Sequence, residues 1–196
     1  MAVDLDGTFV HGNTLKMYLK AGCQYLARTG RIWQLAKVAW WVAARRIKLI
    51  PHITMKLNAA AIIGWNEDVE SRFRALVLPE INPAVQKLTA TFKESGGKCV
   101  IASAAFGFYI PSICDLPFVA TAIDYTEKEC RGQEKCRRLN EWLTARGYKL
   151  HSVVTDHHDD IPLLKMPCEK RYLVQPSAET VKKVKATGIK DITYIR

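Results

Sequence analysis

Several features that mark other classes of protein are missing from this sequence of 196 residues. Its six cysteines form no Cys-x-x-Cys pair, it has no internal repeat or low-complexity tract, and its first residues contain no apolar segment of the kind that opens a signal peptide. These absences predict reduced, mostly buried thiols and a cytoplasmic location. Since 48% of the residues are hydrophobic and 24% are charged, the composition excludes a disordered chain and a coiled coil.

Acidic residues are absent from a long stretch near the start of the chain. No Asp or Glu lies between Asp6 and Glu67, whereas nine basic residues do: Lys16, Lys20, Arg28, Arg31, Lys37, Arg45, Arg46, Lys48 and Lys56. This stretch therefore carries +9 of the formal net charge of +10, and it also holds four of the five tryptophans: Trp33, Trp40, Trp41 and Trp65. Such a basic segment favours an anionic partner and indicates a region with its own role.

The basic segment has the apolar periodicity of helices. Breaks at Thr29-Gly30, at Pro51 and at Gly64-Trp65-Asn66 divide it into four predicted helices, at 14–28, 31–47, 53–63 and 67–77. The segment is therefore predicted to be an all-helical insertion.

Strands and helices alternate from about residue 82 to the end of the chain. Short apolar runs predict strands at 99–102, 118–122, 151–154 and 171–174. The segments around them predict helices at 82–95, from Phe106, at 134–146 and at 177–186. Strands joined by helices pair in parallel through right-handed crossovers, with ligands bound at the carboxyl ends of the strands.

The predicted fold class is therefore α/β, a Rossmann-like parallel sheet with helices on both faces and an inserted all-helical domain. The length suits one domain with a sizeable insertion. We place the α/β core at residues 1–12 and 80–196 and the helical insertion at 13–79.

Two aspartates follow the short apolar start of the chain. Asp4 and Asp6 leave the end of the first predicted strand one residue apart, and Gly7 lets the chain turn tightly after them. An isolated Asp-x-Asp-Gly is often a simple turn in which the side chains bind the backbone. The pattern therefore leaves two interpretations open, a turn and a catalytic pair.

Three later features lie at strand ends or helix starts, where chemistry is expected. Ser103 follows the second predicted strand and precedes a helix, so its hydroxyl and free amides could bind a phosphate oxygen, although serine also caps helices. Lys135 opens a later helix, a position at which a lysine is usually solvated. Asp156 and Asp160 follow another strand, and clustered carboxylates repel unless a proton or a cation neutralises them.

In this order the residues resemble the four motifs of the haloacid dehalogenase (HAD) superfamily. The first motif, Asp-x-Asp-Gly-Thr, corresponds to residues 4–8. The second, a strand followed by serine, contains Ser103, and the third is Lys135. The fourth, a strand followed by Asp-x-x-x-Asp, contains Asp156 and Asp160. The segments 130–135, 160–164 and 174–176 are also similar to the branch that includes the phosphoserine phosphatases. The helical insertion after the first motif matches the cap of that branch.

The resemblance implies a phosphatase that forms an aspartyl phosphate. Asp4 would be the nucleophile, and Asp6 would protonate the leaving oxygen and then activate the hydrolytic water. Ser103, Ala104 and Lys135 would hold the phosphoryl oxygens, with Lys135 also neutralising Asp4. Because the metal-independent dehalogenases lack the second aspartate of the first motif, Asp6 favours phosphoryl transfer.

The resemblance also implies Mg²⁺ as the cofactor. The ion would be bound by the carboxylates of Asp4 and Asp156 and by the main-chain carbonyl of Asp6, with waters and a phosphate oxygen completing an octahedron. Asp160 would orient Lys135 or a metal-bound water.

Two adjacent histidines beside Asp156 raise a second metal hypothesis. His157 and His158 are of a residue type that binds zinc or other transition metals. Adjacent histidines do not easily face one ion, however, and no third histidine is near in sequence. We therefore expect them to belong to an ordinary loop.

The substrate is less closely defined than the reaction. Phosphoserine phosphatases place an acidic residue just after the first motif, whereas residues 9–13 and the following insertion offer none. Phosphoserine is therefore not the expected substrate, and the basic insertion favours a small phosphomonoester with an anionic leaving group.

One helix of the insertion combines charge with a broad apolar surface. At about 100° per residue, five polar side chains of the stretch 31–48 fall within roughly 120° of arc that also contains Trp41: Arg31, Gln34, Lys37, Arg45 and Lys48. Most of the remaining circumference is apolar. That apolar side either packs against the other helices and the core, which we favour, or lies against an anionic membrane with basic side chains reaching the headgroups.

Two alternatives to a phosphatase of soluble substrates follow from the basic insertion. The first is the same chemistry on a membrane phospholipid phosphate, as in phosphatidylglycerophosphatase-like members of the superfamily. The second is a non-catalytic module that binds nucleic acid or another polyanion. It is the least favoured of the three hypotheses, because six positions match the catalytic motifs.

Overall fold

A parallel sheet forms the centre of the molecule. The computed structural model describes residues 1–123 and 128–195. Its strands are β1 (Ala2–Val3), β2 (Val100–Phe106), β3 (Phe118–Thr121), β4 (Ser152–Thr155), β5 (Lys170–Val174) and β6 (Ile192–Ile195). They form one six-stranded sheet in the order β3-β2-β1-β4-β5-β6, and every adjacent pair is parallel. The predicted α/β class with a Rossmann-like sheet is confirmed.

Apolar side chains pack on both faces of the sheet, since successive residues of a strand point to opposite faces. Val3 and Val154 belong to one core cluster, which also contains buried side chains from the helices in the first half of the chain. Ala2 and Val153 belong to a second cluster with side chains from the later helices: Leu139, Leu143, Leu163, Leu164 and Val184. The alternation of apolar residues along each short strand therefore produces two cores, one on each side.

Four helices occupy the basic segment, with bounds within one residue of the prediction: α1 (Thr14–Arg28), α2 (Ile32–Arg46), α3 (His52–Ile63) and α4 (Glu67–Val77). Asn13 caps α1 by accepting the Lys16 N–H at 3.0 Å, and Asn66 caps α4 by accepting the Val69 N–H at 3.0 Å. Helix α1 packs on α4, and α2 packs on α3. The division into core and insertion at residues 12–13 and 79–80 stays a prediction.

The remaining helices are α5 (Pro83–Glu94), α6 (Gln133–Thr144), α7 (Ile161–Leu164) and α8 (Ala178–Ala186). The prediction contained neither α7 nor β6. Strand β6 is a short edge strand of half-buried and exposed residues, so its apolar pattern is weak. The helix expected from Phe106 is a 3₁₀ turn, Gly107–Ser112, and Pro111 within it has no N–H to continue a regular α-helix.

Helix α2 turns its apolar side outward, so the expectation that this side packs against the rest of the protein is wrong. Trp33 is 85% exposed, Ile47 67% and Trp40 63%. Val38 is buried on the opposite side, where Trp41 packs partly against the core. In residues 1–123 and 128–195, no helix combines the length and the apolar character that a membrane crossing requires.

The cysteines are unpaired thiols. Cys99 and Cys130 are buried, whereas the other four are half-buried, so the expectation of mostly buried thiols holds for only two of them. Burial raises the pKa of the Cys130 thiol to about 11, which keeps it protonated at neutral pH.

Candidate active site

The candidate site lies at the carboxyl edge of the sheet, beyond the end of strand β1. Strand β1 lies between β2 and β4, and Asp4 and Asp156 follow the ends of β1 and β4. In open parallel sheets this edge is where ligands bind. A cleft of about 470 Å³ opens there, and every predicted site residue lines it: Asp4, Asp6, Ser103, Ala104, Lys135, Asp156 and Asp160.

Lys135 links two of the aspartates. Its ammonium lies 2.9 Å from Asp4 Oδ1 and 2.7 Å from Asp160 Oδ1, and all three side chains are at least nine-tenths buried. Thr155 donates its hydroxyl to Asp160 Oδ2 at 2.7 Å. Although burial alone would lower it, the two carboxylates hold the pKa of Lys135 above its ordinary value. Lys135 is therefore a fixed positive charge beside Asp4 and not the solvated lysine that its helix position suggests.

The second aspartate of the first motif is held by the start of α1. The Thr14 N–H donates to Asp6 Oδ1 at 2.6 Å, and the Thr14 hydroxyl shares a hydrogen bond of 3.1 Å with Tyr109 Oη. Burial raises the pKa of Asp6, while the bond from Thr14 opposes the rise. The first residue of the helical segment thus orients a carboxyl group of the cleft.

Asp156 is packed against the turn that follows the first motif. Thr8 donates its hydroxyl to Asp156 Oδ1 at 3.2 Å. Gly7 has a φ of +76°, and a Cβ atom added to it would lie 2.2 Å from Asp156 Oδ2. Only glycine fits this position, because it permits the left-handed backbone and leaves space for the carboxylate.

Ser103 and Ala104 occupy an irregularity of β2 and not the start of a helix. Strand β2 pairs with β3 at Ala102 and again at Phe106, but the β3 partners are only two residues apart, at Val119 and Thr121. The extra residues of β2 form a bulge, a feature common beside active sites. The prediction that free helix-start amides surround Ser103 is therefore wrong.

Hydrogen bonds hold the bulge in its conformation. Ser103 Oγ accepts the Ala105 N–H at 3.1 Å, and the Ala104 carbonyl accepts from Lys56 Nζ at 2.7 Å and from Thr121 Oγ1 at 2.8 Å. The Ser103 side chain and the Ala104 backbone consequently face the cleft in a fixed arrangement.

Three of the other residues that line the cleft form an ion-pair cluster that the sequence analysis did not predict. Helix α3 contributes His52 and Lys56, and both bind Glu129 Oε1, at 3.3 and 2.8 Å. Burial alone would raise the pKa of Glu129, but the hydrogen bonds and the positive charge of Lys56 lower it to about 2. Lys56 is the single lysine in the largely apolar sequence of α3, and this isolated charge could have indicated a role in the site.

Acidic groups outnumber basic ones in the cleft. Among its described lining residues six are Asp or Glu, and three are Lys or Arg. Asp6 and Asp156 enter no ion pair within the described part of the chain. Burial raises the pKa of both carboxyl groups, as it does for Asp4. Carboxylate oxygens are the ligands that Mg²⁺ prefers, so a cleft with a surplus of them fits a divalent cation.

The adjacent histidines belong to a second group of side chains of types that bind metals. The nearest ligand atoms of His157, His158 and Asp159 lie within 4.8 Å of one another. Asp159 is paired with Arg131, however, and His158 Nε2 lies 2.9 Å from Lys183 Nζ. Because these partners occupy the ligand atoms, the interpretation as ordinary loop residues remains the better one.

Comparisons with known proteins agree on one family. The model of the haloacid dehalogenase-like hydrolases matches residues 2–165. A histidinol-phosphatase of Neisseria meningitidis serogroup C (strain 8013) is 29% identical over 159 residues, which are 68% of this chain and 71% of that protein.

Solved structures share the fold at low sequence identity. A protein described as of unknown function from Bordetella pertussis Tohama I has a TM-score of 0.74 at 19% identity, over 98% of this chain and 96% of that one. A substrate-bound phosphoserine phosphatase has a TM-score of 0.61 at 15% identity, over 99% of this chain and 90% of that one.

A parallel sheet in this strand order, with helices on both faces and aspartates at its carboxyl edge, is a Rossmann-like α/β fold that binds ligands at that edge. Since the family match covers most of the chain and includes both ends of the motif set, the protein belongs to the haloacid dehalogenase-like hydrolase family. The relatives named here that carry an activity in their names are phosphatases.

Proposed function

We propose that the protein hydrolyses small phosphomonoesters through a phosphorylated Asp4. The observation that carries this proposal is the buried contact of Lys135 with both Asp4 and Asp160 at the carboxyl edge of the sheet. A carboxylate oxygen of Asp4 would attack phosphorus while the bond from phosphorus to the leaving oxygen breaks, and Asp6 would give that oxygen its proton. Asp6 would then take a proton from water, whose oxygen attacks phosphorus and releases inorganic phosphate from Asp4.

Fixed donors would stabilise the negative charge that develops on the phosphoryl oxygens. The Lys135 ammonium, the Ser103 hydroxyl and the backbone at Ala104 line the cleft beside Asp4. Asp160 would act as a positioning residue, since it binds Lys135 and is itself bound by Thr155. Donors that are already oriented cost no reorganisation during the reaction.

Mg²⁺ is the proposed cofactor. The Asp4 and Asp156 carboxylates and the Asp6 main-chain carbonyl would hold it, and the surplus of acidic groups in the cleft supports a cation there. When bound, the ion would supply positive charge against the phosphoryl oxygens and the surrounding carboxylates. Gly7 leaves Asp156 the space to take part.

The helical segment 13–79 would act as a cap over the leaving group. His52 and Lys56 of α3 line the cleft together with Glu129. Glu129 offsets the positive charge of Lys56. The cleft therefore does not favour the anionic leaving group that was expected from the basic sequence of the insertion. Glu129 supplies a carboxylate for an amino group, and the relative named a histidinol-phosphatase points to the same class of substrate, an amino alcohol phosphate.

The proposal is tested by phosphate release from an aryl phosphate, with Mg²⁺ and with EDTA. We expect metal-dependent turnover in the native protein and a loss of at least about 1,000-fold in Asp4→Asn, because a carboxamide is a very poor nucleophile. Histidinol phosphate, phosphoserine and glycerol phosphate would then be compared by kcat/KM, with histidinol phosphate, an amino alcohol phosphate, expected to be the best substrate.

The control is Asp115→Asn, which makes the same chemical change at an exposed aspartate outside the cleft. It should keep the native rate. Full activity in Asp4→Asn would rule out the proposed nucleophile. We further propose a cytoplasmic location, which the unpaired cysteines support.

A further inference from the structure

Helix α2 is amphipathic, but its apolar side faces solvent and its more polar side faces the protein. At about 100° per residue, six apolar side chains fall on an arc of about 120°: Ile32, Ala36, Ala39, Trp40, Ala43 and Ile47, with Trp33 at its edge. All are exposed, and Trp33 reaches 85% exposure. The opposite side carries Gln34 and Arg45, yet it is this side that contains the buried Val38 and contacts the protein. A helix in water normally does the reverse, so the outward apolar side needs a partner.

Basic side chains border this exposed side in both directions around the helix. Arg46 lies beyond one edge of the arc and Lys37 beyond the other, and both are exposed. Arg28 and Arg31, also exposed, lie at the amino-terminal end. The whole stretch from residue 7 to residue 66 contains no Asp or Glu. The partner must therefore accept apolar side chains at the centre and supply negative charge at the rim.

The turn after α2 continues the apolar surface toward the cleft. Lys48 has a φ of +61°, and the Leu49 N–H returns to the Ala44 carbonyl at 2.9 Å. This turn leaves Leu49 66% exposed, next to the exposed Ile47. His52, three residues further along, lines the cleft. The exposed surface is thus joined to the mouth of the cleft by a short segment.

We propose that the outward side of α2, from Ile32 to Leu49, docks onto an anionic lipid surface. Trp33, Trp40 and Ile47 would enter the boundary between headgroups and acyl chains, where the amphipathic ring of tryptophan is favoured. Lys37 and Arg46 would reach the anionic headgroups from either side. The charge pattern carries this choice of partner, because it complements the negative surface of such a membrane.

Two other partners fit the surface less well. A second copy of the chain would bring two acid-free basic surfaces together, which costs electrostatic free energy unless another part of the copy compensates. A nucleic acid would satisfy the basic rim but would leave exposed indole and aliphatic side chains at the centre with no apolar environment. Of these three partners, a lipid surface is the one that meets both requirements.

The full chain is tested by sedimentation with vesicles of phosphatidylcholine, with and without phosphatidylserine, at low and at high salt. We expect binding only to the anionic vesicles, weakened by salt. Replacing both exposed tryptophans, Trp33→Ser with Trp40→Ser, should lower the apparent affinity at least about tenfold. Replacing both rim cations, Lys37→Gln with Arg46→Gln, should lower it about fivefold per charge at low salt.

Matched controls separate the surface from general effects of charge and hydrophobicity. Lys182→Gln with Lys185→Gln removes two exposed charges from α8, and Tyr194→Ser removes an exposed aromatic from β6. Both should bind vesicles like the native chain. All variants change exposed side chains, so unchanged thermal unfolding would show that they fold.

Three results would overturn the proposal. The first is vesicle binding that the double tryptophan variant leaves intact. The second is a dimer without lipid that this variant dissociates, because it would assign the surface to self-association. The third is tighter binding to a duplex oligonucleotide than to anionic vesicles at equal salt. The assay needs no turnover, so its outcome is independent of the proposed phosphatase activity.

Discussion

Lys135 Nζ lies 2.9 Å from Asp4 Oδ1, although 131 positions separate the two residues along the chain. The contact joins the first residue after β1 to the beginning of α6. The same ammonium binds Asp160, so one cation offsets two buried carboxylates. Stability and the proposed catalysis therefore both depend on this contact.

Lys135→Met should damage both properties. Phosphate release is expected to fall at least about 100-fold, because a fixed donor to the phosphoryl group is lost. The free energy of unfolding should fall by about 3–5 kcal/mol, since Asp4 and Asp160 would be left buried with no cation. Lys185→Met, a change at an exposed lysine of α8, should stay within about 0.5 kcal/mol of the native protein. Urea unfolding and steady-state kinetics measure the two effects, and native turnover in Lys135→Met would contradict the assignment.

Gly7→Ala should displace Asp156 and weaken the binding of Mg²⁺. The new Cβ would lie 2.2 Å from Asp156 Oδ2, and the φ of +76° adds backbone strain. Gly96→Ala is the matched control, because its φ is +86° but nothing lies within 4 Å of its added Cβ. We expect both variants to lose about 1–3 kcal/mol of stability from the backbone. Only Gly7→Ala should also need a higher Mg²⁺ concentration for half-maximal activity, and equal metal dependence in the two would refute the role of this contact.

Thr14→Pro should disturb the orientation of Asp6 while leaving helix α1 folded. Thr14 is the first residue of α1, where proline is tolerated, and the preceding Asn13 has the extended φ of −107° and ψ of 112° that a following proline requires. The variant keeps the helix but removes the N–H that binds Asp6 Oδ1. We expect kcat to fall at least about tenfold, in line with the loss of a positioning contact.

Thr14→Val is the control for the hydroxyl alone. It also loses the hydrogen bond to Tyr109 but keeps the N–H to Asp6. Its cost should be limited to about 1 kcal/mol of stability, with kcat within about threefold of the native value. Equal kcat in the proline and valine variants would show that the N–H does not orient Asp6.

The stability that Glu129 contributes should depend on pH. Its pKa in the folded protein is lowered from 4.5 to about 2, so the contribution is complete above about pH 4.5 and is lost as the pH falls toward 2. The native protein should exceed Glu129→Gln in unfolding free energy by at most about 3 kcal/mol at neutral pH. Denaturant titrations at several pH values should show this difference shrinking through the acid range. Glu94→Gln, at an exposed position of α5, should show no such dependence, and a pH-independent difference for Glu129→Gln would exclude the ion pair as its cause.

The local sequence accounts for the helices of the first half of the chain. Asn13 and Asn66 are capping residues followed by periodic apolar positions, and the predicted bounds of α1 and α4 agree with the structure. Strand β6 was missed because its four residues form a half-exposed edge strand with little apolar signal. The sequence therefore predicted elements well wherever capping and periodicity agreed.

The grouping of the site residues was also predictable, though for a different reason. Asp4 and Asp156 each follow a strand, and parallel strands bring their carboxyl ends to one edge of the sheet. The surroundings of Ser103 were not predictable, because the bulge depends on how β2 pairs with a strand 15 or more residues away. Register is a property of two segments together.

The sequence alone determined the four helices of the basic segment, the alternation of strands and helices after it, and the order of the acidic and basic residues that mark a hydrolase of this family. Only the tertiary structure decided which side of α2 faces solvent, because both sides of this helix contain apolar residues and either could pack against the protein. It also decided that Lys56 of α3 meets Glu129 and the Ala104 carbonyl, which are 73 and 48 residues away in sequence. Such contacts follow from the packing of whole elements, whereas capping and periodicity report only on neighbours along the chain.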